Sequence, residues 1–367
     1  PPPPPPLHPP RPPALPPEAS YLPALLAALV DESPLVGGRG VATVVSGGGT
    51  PSLFRAESIG RLLEWLRARD GLAADAEVTL EANPGTVERG RFADYRAAGI
   101  NRISLGVQSF DPTQLKRLGR IHGPGEVAGS LDELARAGLD DFNIDLMYGL
   151  PGQSVGEACE DHAAAHAAGP SHISHYQLTL EPNTLFWHEP PTLPDDEATW
   201  EMHNRCGDLL GAAGFEHYEV SAFALDGRRC GHNVNYWSYG DYVGVGAGAH
   251  GKLTTKDGTT ILRRSKLRHP TAYLAATGGR IQTETRIGPG DRLFEFMLNA
   301  LRLRDGFDAA LFEARTGLPL DVARPRLAAA ESRGLIACRD DTWRQTALGR
   351  RFLNDLQGLF LPVTDDV

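Results

Sequence analysis

Three successive glycines, Gly47-Gly48-Gly49, precede Thr50 and Pro51. Backbone N–H groups without side-chain bulk can cradle an anion or a carboxylate. The run is not a P-loop, because no Gly-Lys-Ser/Thr follows it. It is not GxGxxG either, because its glycines are contiguous. Glu81, Gln108, Asp145 and Thr179 stand at or near the ends of later apolar runs, and Arg120 follows the third run. Carboxylates suit an ammonium group and ribose hydroxyls, arginine suits a carboxylate, and glycines permit close approach. The set has the shape of a receptor for a zwitterionic nucleoside. A second constellation is His232-Asn233-Val234-Asn235-Tyr236-Trp237, just after Cys230. An imidazole beside two aromatic rings can ligate haem iron and pack the macrocycle. It can equally be a loop histidine bonded to backbone, and chemistry alone prefers that reading. His162 and His166 have the i, i+4 spacing of a metal pair. No glutamate accompanies them as in HExxH, and their alanine-rich flanks predict a solvated helix face. Cysteines 159, 206, 230 and 338 match no CxxC or zinc-ribbon spacing and read as reduced thiols.

The elements that position these residues alternate. Val41–Ser46, Glu77–Ala82, Arg102–Gln108, Phe142–Met147 and His172–Thr179 read as strands. Between them Ala56–Arg69, Val87–Ala98, Gly125–Ala137 and Val155–Ala168 read as helices. This alternation predicts an α/β fold, a partial (β/α) barrel on a parallel sheet. Ligands of such sheets bind beyond the carboxyl ends of the strands, where the polar residues fall. Residues 180–285 read as less regular. The last 80 or so residues predict helices with a short wing-like turn, a C-terminal mainly helical, winged-helix-like domain. The Gly-rich run 244–250 reads as a tight packing loop.

The chain has 367 residues and a net charge of −10, which argues against a general nucleic-acid binder. No apolar run is long enough for a membrane span, and no secretory signal opens the chain. Peripheral membrane contact stays open, and a cytoplasmic location is expected. Of the 36 basic residues four are lysine (Lys116, Lys252, Lys256 and Lys266), the mark of a GC-rich gene. Residues 1–17 hold 12 of the 29 prolines. They read as a disordered proline-rich arm, ahead of a barrel with an irregular extension over 18–285 and the helical domain over 286–367. The arm is expected to be a misread frame rather than native sequence, because GC-rich codons read out of frame yield runs of proline, arginine and alanine.

SGGGTPSL, LEANPGT, GINRISLGVQSFD, LGRIH, FNIDLMYGLPGQ, LEPNT, HYEVSAFA and HNVNYW occur in this order. In wording and spacing they resemble the radical S-adenosylmethionine proteins related to oxygen-independent coproporphyrinogen III oxidase, and within that group the HemW-type haem chaperones. The resemblance runs from about residue 20 to 358. It implies a partial barrel, S-adenosylmethionine, a [4Fe–4S] cluster, haem as cargo and an unknown haem-acceptor protein. By motif position the S-adenosylmethionine contacts fall on Gly48, Gly49, Thr50, Glu81, Gln108, Arg120 and Asp145. The family's HNxxYW motif falls on His232 to Trp237, which turns the reading of His232 toward haem. The chain departs from the family where a first strand and a Cys-x3-Cys-x2-Cys loop belong, a place taken by the proline tract. The sequence therefore predicts a barrel lacking its first strand, an exposed edge at Val41–Ser46, and no cluster or radical chemistry in this chain. Two alternatives accompany the chaperone reading: a decarboxylating dehydrogenase of the coproporphyrinogen III oxidase type, and a cluster-free haem-binding relative.

Overall fold

The computed structural model describes residues 18–48, 54–69, 71–85, 91–182, 184–277 and 279–362. The proline tract, Gly49 and Thr50 lie outside the described residues. Contacts group the chain into two compact units. One runs to Arg39 and resumes over Tyr242–Arg286; the other holds Gly40–Asp241 and continues from Ile287.

The first described element of the first unit is helix α1 (Glu18–Val36). The second unit then alternates β1 (Val41–Ser46), α2 (Ala56–Arg69), β2 (Leu72–Ala82), α3 (Phe92–Ala98), β3 (Arg102–Gln108), α4 (Pro112–Arg117), α5 (Pro124–Ala137), β4 (Phe142–Tyr148), α6 (Val155–Ala167) and β5 (His172–Gln177). After α7 (Leu185–His188) and α8 (Asp196–Ala212) come β6 (Glu216–Glu219), β7 (Ala222–Ala224) and α9 (Gly231–Trp237).

Strands β1 to β5 lie side by side and parallel, and β7 and β6 complete the row antiparallel. This is the open half-barrel expected from the alternation, since parallel neighbours require crossover helices. Ile103, Leu105, Val107, Ile144, Leu146 and Ile173 are fully buried, as strands covered on both faces must be. Strand β1 is only partly buried and, among the described residues, pairs with β2 alone. Helix starts follow local chemistry: Ser154 and Glu157 form a capping box at α6, and Asp195 accepts from the Ala198 N–H at α8. The register sets Glu81, near the end of β2, beside Ser104, and sets Asp145 beside Ser174; Asp145 stands in the middle of β4, because the strand runs on to Tyr148, and not at its end as the sequence suggests.

The first unit resumes with β8 (His250–Thr254), β9 (Ile261–Lys266), α10 (Pro270–Ala275) and β10 (Ile281–Arg286), its three strands antiparallel. Buried Glu32 of α1 pairs with Arg264 at 2.6 Å and with Lys266. The Gly-rich run is a packing loop here: the N–H groups of Gly246 and Ala247 donate to the Tyr273 and Tyr21 hydroxyls at 3.1 and 2.9 Å. Sequence periodicity did not reveal these strands, because ILRRSK and IQTETR carry charges where a buried strand would carry apolar residues. It did not reveal α1 either, where Pro23 and Pro34 interrupt the helical signal.

The second unit ends in α11 (Pro289–Ala300), β11 (Phe307–Asp308), α12 (Ala309–Thr316), α13 (Arg324–Ser332), β12 (Ile336–Arg339), β13 (Thr342–Gln345), α14 (Ala347–Arg351) and α15 (Leu353–Gly358). Asp340 and Asp341, with φ of 50° and 57°, make the two-residue turn of the β12–β13 hairpin. Phe296 packs edge-on against Phe307 and Phe312, with ring centroids 5.2 and 5.0 Å away. The helical, winged shape expected from sequence is present.

Candidate functional site

Gly48 and Glu81 meet at the carboxyl ends of β1 and β2. The Gly48 N–H donates to Glu81 Oε2 at 3.2 Å, and Gly48 has a φ of 76°. A Cβ on Gly47 would stand 2.6 Å from Glu81 Oε1, so the close approach requires glycine there. Gln108 closes β3 in the left-handed region, at φ 71°. The turn behind it is clamped by Asp161 of α6, which accepts from the Ser109 hydroxyl and the Phe110 N–H, each at 2.7 Å. Burial holds the Asp161 carboxyl above the usual carboxylate range, and these bonds oppose that rise.

Asp145 on β4 accepts from Asn143 Nδ2 at 2.8 Å and from the Ser104 hydroxyl at 3.2 Å. Its carboxyl is also raised, first by burial, with hydrogen bonds from Asn143, Ser174 and Ser104 pulling it down and Glu81 pushing it up. Arg120, after α4, donates to Asn83 Oδ1 at 3.3 Å. Desolvation lowers its pKa while Asp145 raises it, so the two charges act on one another. A Cβ on Gly106 would lie 3.1 Å from both Asn83 Oδ1 and Gln108 Nε2, which places those two side chains over the same glycine.

His232 stands in the first turn of α9, not in a loop. Its backbone N–H donates to Glu77 Oε1 at 3.2 Å, and the Gly231 N–H donates to Glu77 Oε2 at 2.9 Å. The imidazole is half-buried, and no hydrogen bond to it occurs among the described residues. Burial lowers its pKa, while Glu77 and then Glu81 raise it. A neutral ring with an uncommitted lone pair can act as a metal ligand. Tyr236 and Trp237 meet edge-on, 5.1 Å between centroids, and Arg302 lies over the Trp237 ring at 4.1 Å.

The structure thus gathers Gly48, Glu81, Asp145, Arg120 and His232 into one electrostatic neighbourhood, with Gln108 beside Asn83. Gly49 and Thr50 lie outside the described residues. Thr179 is not drawn in, since its hydroxyl donates to Glu181 at 2.8 Å. The expected solvated face at His162 is corrected: His162 is buried, its Nδ1 on the Ala158 carbonyl at 2.8 Å and its Nε2 on His175 Nδ1 at 2.7 Å. The helix turns that face toward β5, and only His166 stays exposed. Glu77 and Asp161 were not found from sequence. Glu77 shares a strand face with Glu81 by the period of two, but nothing near it in the chain names its partner. The four cysteines sit on α6, on α8, before α9 and on β12, and the Cys338 thiol is exposed.

The sequence profile of the Radical SAM superfamily matches residues 17–163, and that of the HemN C-terminal domain matches residues 288–352. The chain is 49% identical over 341 residues to the heme chaperone HemW of Escherichia coli (strain K12), covering 93% of this chain and 89% of that protein. It is 46% identical over 323 residues to the heme chaperone HemW of Haemophilus influenzae, covering 88% and 84%. The radical S-adenosyl methionine domain-containing protein 1, mitochondrial, of Bos taurus is 41% identical over 223 residues, covering 60% and 50%. Among solved structures, coproporphyrinogen III oxidase (HemN) from Escherichia coli superposes with a TM-score of 0.76 at 22% identity, over 94% of this chain and 83% of that one. This last likeness is one of fold.

Proposed function

Because the chain belongs to the HemW family of radical S-adenosylmethionine proteins, we propose that it binds haem through His232 and passes it to an acceptor protein. The observation that carries this reading is the imidazole itself. It is half-buried, free of hydrogen bonds among the described residues, kept toward its neutral form by burial, and on the same short helix as Tyr236 and Trp237. The relatives named above as heme chaperones support the cargo. The alternative, a decarboxylating dehydrogenase, rests on fold likeness alone.

S-adenosylmethionine suits the strand ends. When bound, it supplies a sulfonium centre flanked by an amino acid and a nucleoside. Arg120 would take the carboxylate, Glu81 and Asp145 the ammonium and ribose hydroxyls, and Gly48 with Gly49 would allow close approach, with Thr50 and Gln108 completing the set. The cradle that a Cβ at Gly47 would fill, and the half-buried Asp145 with its donors Asn143 and Ser104, fit such a ligand. A [4Fe–4S] cluster does not suit the thiols of this chain. Cys230 and Cys338 lie on different elements from the neighbouring Cys159 and Cys206, and no three His, Cys, Asp or Glu side chains converge on a metal among the described residues. No reaction step through a cluster follows from these residues. The four free thiols suit a reducing compartment, the cytoplasm. No helix among the described residues is long and apolar enough to cross a membrane.

Titration of the protein with ferric haem, followed at the Soret band, tests the proposal. His232→Ala should weaken binding at least tenfold and shift the band, and added imidazole should restore it. Unchanged affinity and spectrum would overturn His232 as the ligand.

A further inference from the structure

Strand β2 presents two carboxylates four residues apart on one face. Glu81 receives the glycine loop, and Glu77 receives the start of α9. Three donors converge on Glu77: the Gly231 N–H at 2.9 Å, the His232 N–H at 3.2 Å and the Cys230 thiol at 3.4 Å. Arg102, 2% exposed, stands 3.9 Å behind Glu77 and is held by Asp141 at 2.9 Å. Asp141 in turn meets Arg228 at 3.6 Å. Thr43 of β1 and Glu77 are register partners, and both lie against Gly231, so the helix start rests on the sheet at the β1–β2 pair.

We propose that Glu77 is a positioning residue for haem binding: its carboxylate fixes the first turn of α9 and thereby the direction in which His232 offers its imidazole. This inference rests on the reading of His232 as the haem ligand. Helix α9 has seven residues, from Gly231 to Trp237, too few to hold its own orientation in isolation. No side chain at its N-cap residue Cys230 satisfies the first N–H groups. Glu77 satisfies them instead, from a strand far away in sequence, with one carboxylate oxygen for each of the two N–H groups. The bond to His232 is made by the ligand residue's own backbone, so a change at Glu77 reaches the imidazole through a single residue.

The test compares Glu77→Ala, Glu77→Gln, His232→Ala and the Glu77→Ala/His232→Ala double variant of the full chain, each titrated with ferric haem. Circular dichroism and thermal unfolding report the fold. Glu77→Ala should weaken haem binding about ten- to a hundredfold, the loss of one or two charge-assisted hydrogen bonds. It should also lose the spectrum of imidazole-ligated haem. Glu77→Gln keeps one acceptor oxygen and should recover part of the affinity; it also serves if the alanine variant fails to fold. The double variant should bind no more weakly than His232→Ala, because both changes remove one interaction. Wild-type binding in Glu77→Ala together with loss in His232→Ala would overturn the positioning role. Fully additive losses would overturn it too, assigning Glu77 a merely structural part. Wild-type binding in all four proteins would instead overturn the haem ligand itself.

Discussion

The turn after Gln108 offers a perturbation whose size can be worked from the structure. Asp161 is 4% exposed and its carboxylate accepts two bonds of 2.7 Å, from a backbone N–H and a serine hydroxyl. Bonds to a charged acceptor contribute about 1.5–3 kcal/mol each, so Asp161→Ala forfeits about 3–6 kcal/mol of gross interaction. Part of that is already cancelled by desolvation, since burial leaves the carboxyl raised despite both bonds. A net cost of about 2–4 kcal/mol follows, or a fall in Tm of about 5–10 °C at the sensitivity of a large domain. The backbone adds a second effect. Gln108 sits at φ 71°, a conformation that costs a non-glycine residue about 1–2 kcal/mol. Without the clamp the turn relaxes toward negative φ and the Gln108 side chain leaves the strand end. Asp161→Asn behaves differently: its oxygen still accepts from Phe110, its amide can donate to Ser109, and no charge is buried. It should lose less than half as much stability. The pH dependence has a definite sign. A carboxyl raised in the folded state lowers stability as pH rises from 3.8 through its folded pKa, and Asp161→Asn should abolish that segment of the profile. Thermal unfolding against pH, hydrogen exchange at the Phe110 amide and calorimetry with S-adenosylmethionine are the assays. An Asp161→Ala protein with wild-type exchange at Phe110 would refute the clamp. One that exchanges fast yet binds S-adenosylmethionine normally would refute the link to Gln108.

Gly47→Ala should leave Tm within a few degrees, because the clashing atom is the mobile end of Glu81, yet weaken S-adenosylmethionine binding about tenfold by breaking the Gly48–Glu81 bond, an effect of about 1.4 kcal/mol; calorimetry showing unchanged affinity would refute it. Burial depresses His162 to about 4, His203 to about 4 and His217 to about 3, with His175 also well below 6.5. Unfolding lets each take a proton below pH 6.5, so the stability they confer when neutral is lost as pH falls from 6.5 toward 4, by up to about 1.4 kcal/mol per pH unit for each ring. A Tm that stays level from pH 7 to 5 would contradict this. Anaerobic reconstitution of this chain should yield far fewer than about four irons and four sulfides per chain, and a full complement with a reducible cluster signal would show that its thiols converge after all.

Some of these residues were legible in sequence and others were not, for a physical reason. A strand ends where its apolar run ends, so Glu81 and Gln108 announce themselves at the place where an α/β sheet binds ligands, whereas Asp145 stands mid-strand in β4. The half-barrel follows from the same runs. Asp161 gives no such signal, because a helix read as alanine-rich and solvated hides which of its faces meets the sheet. That error is the one made at His162, the next residue. Both were missed because helix α6 carries small residues on every side, so its sequence pattern does not single out the buried face, and α8 rather than solvent covers part of it. Glu77 illustrates a different gap. Its face can be inferred from Glu81 by the period of two, but its partners, Cys230 to His232, lie about 150 residues on. A motif such as HNVNYW states which atoms could bind a metal; what aims them is a carboxylate that belongs to no motif and becomes visible only when β1, β2 and α9 are brought together. If Glu77 aims His232, grafting the HNVNYW hexapeptide onto another helix should not transfer haem affinity unless a carboxylate acceptor for its first N–H groups is grafted with it.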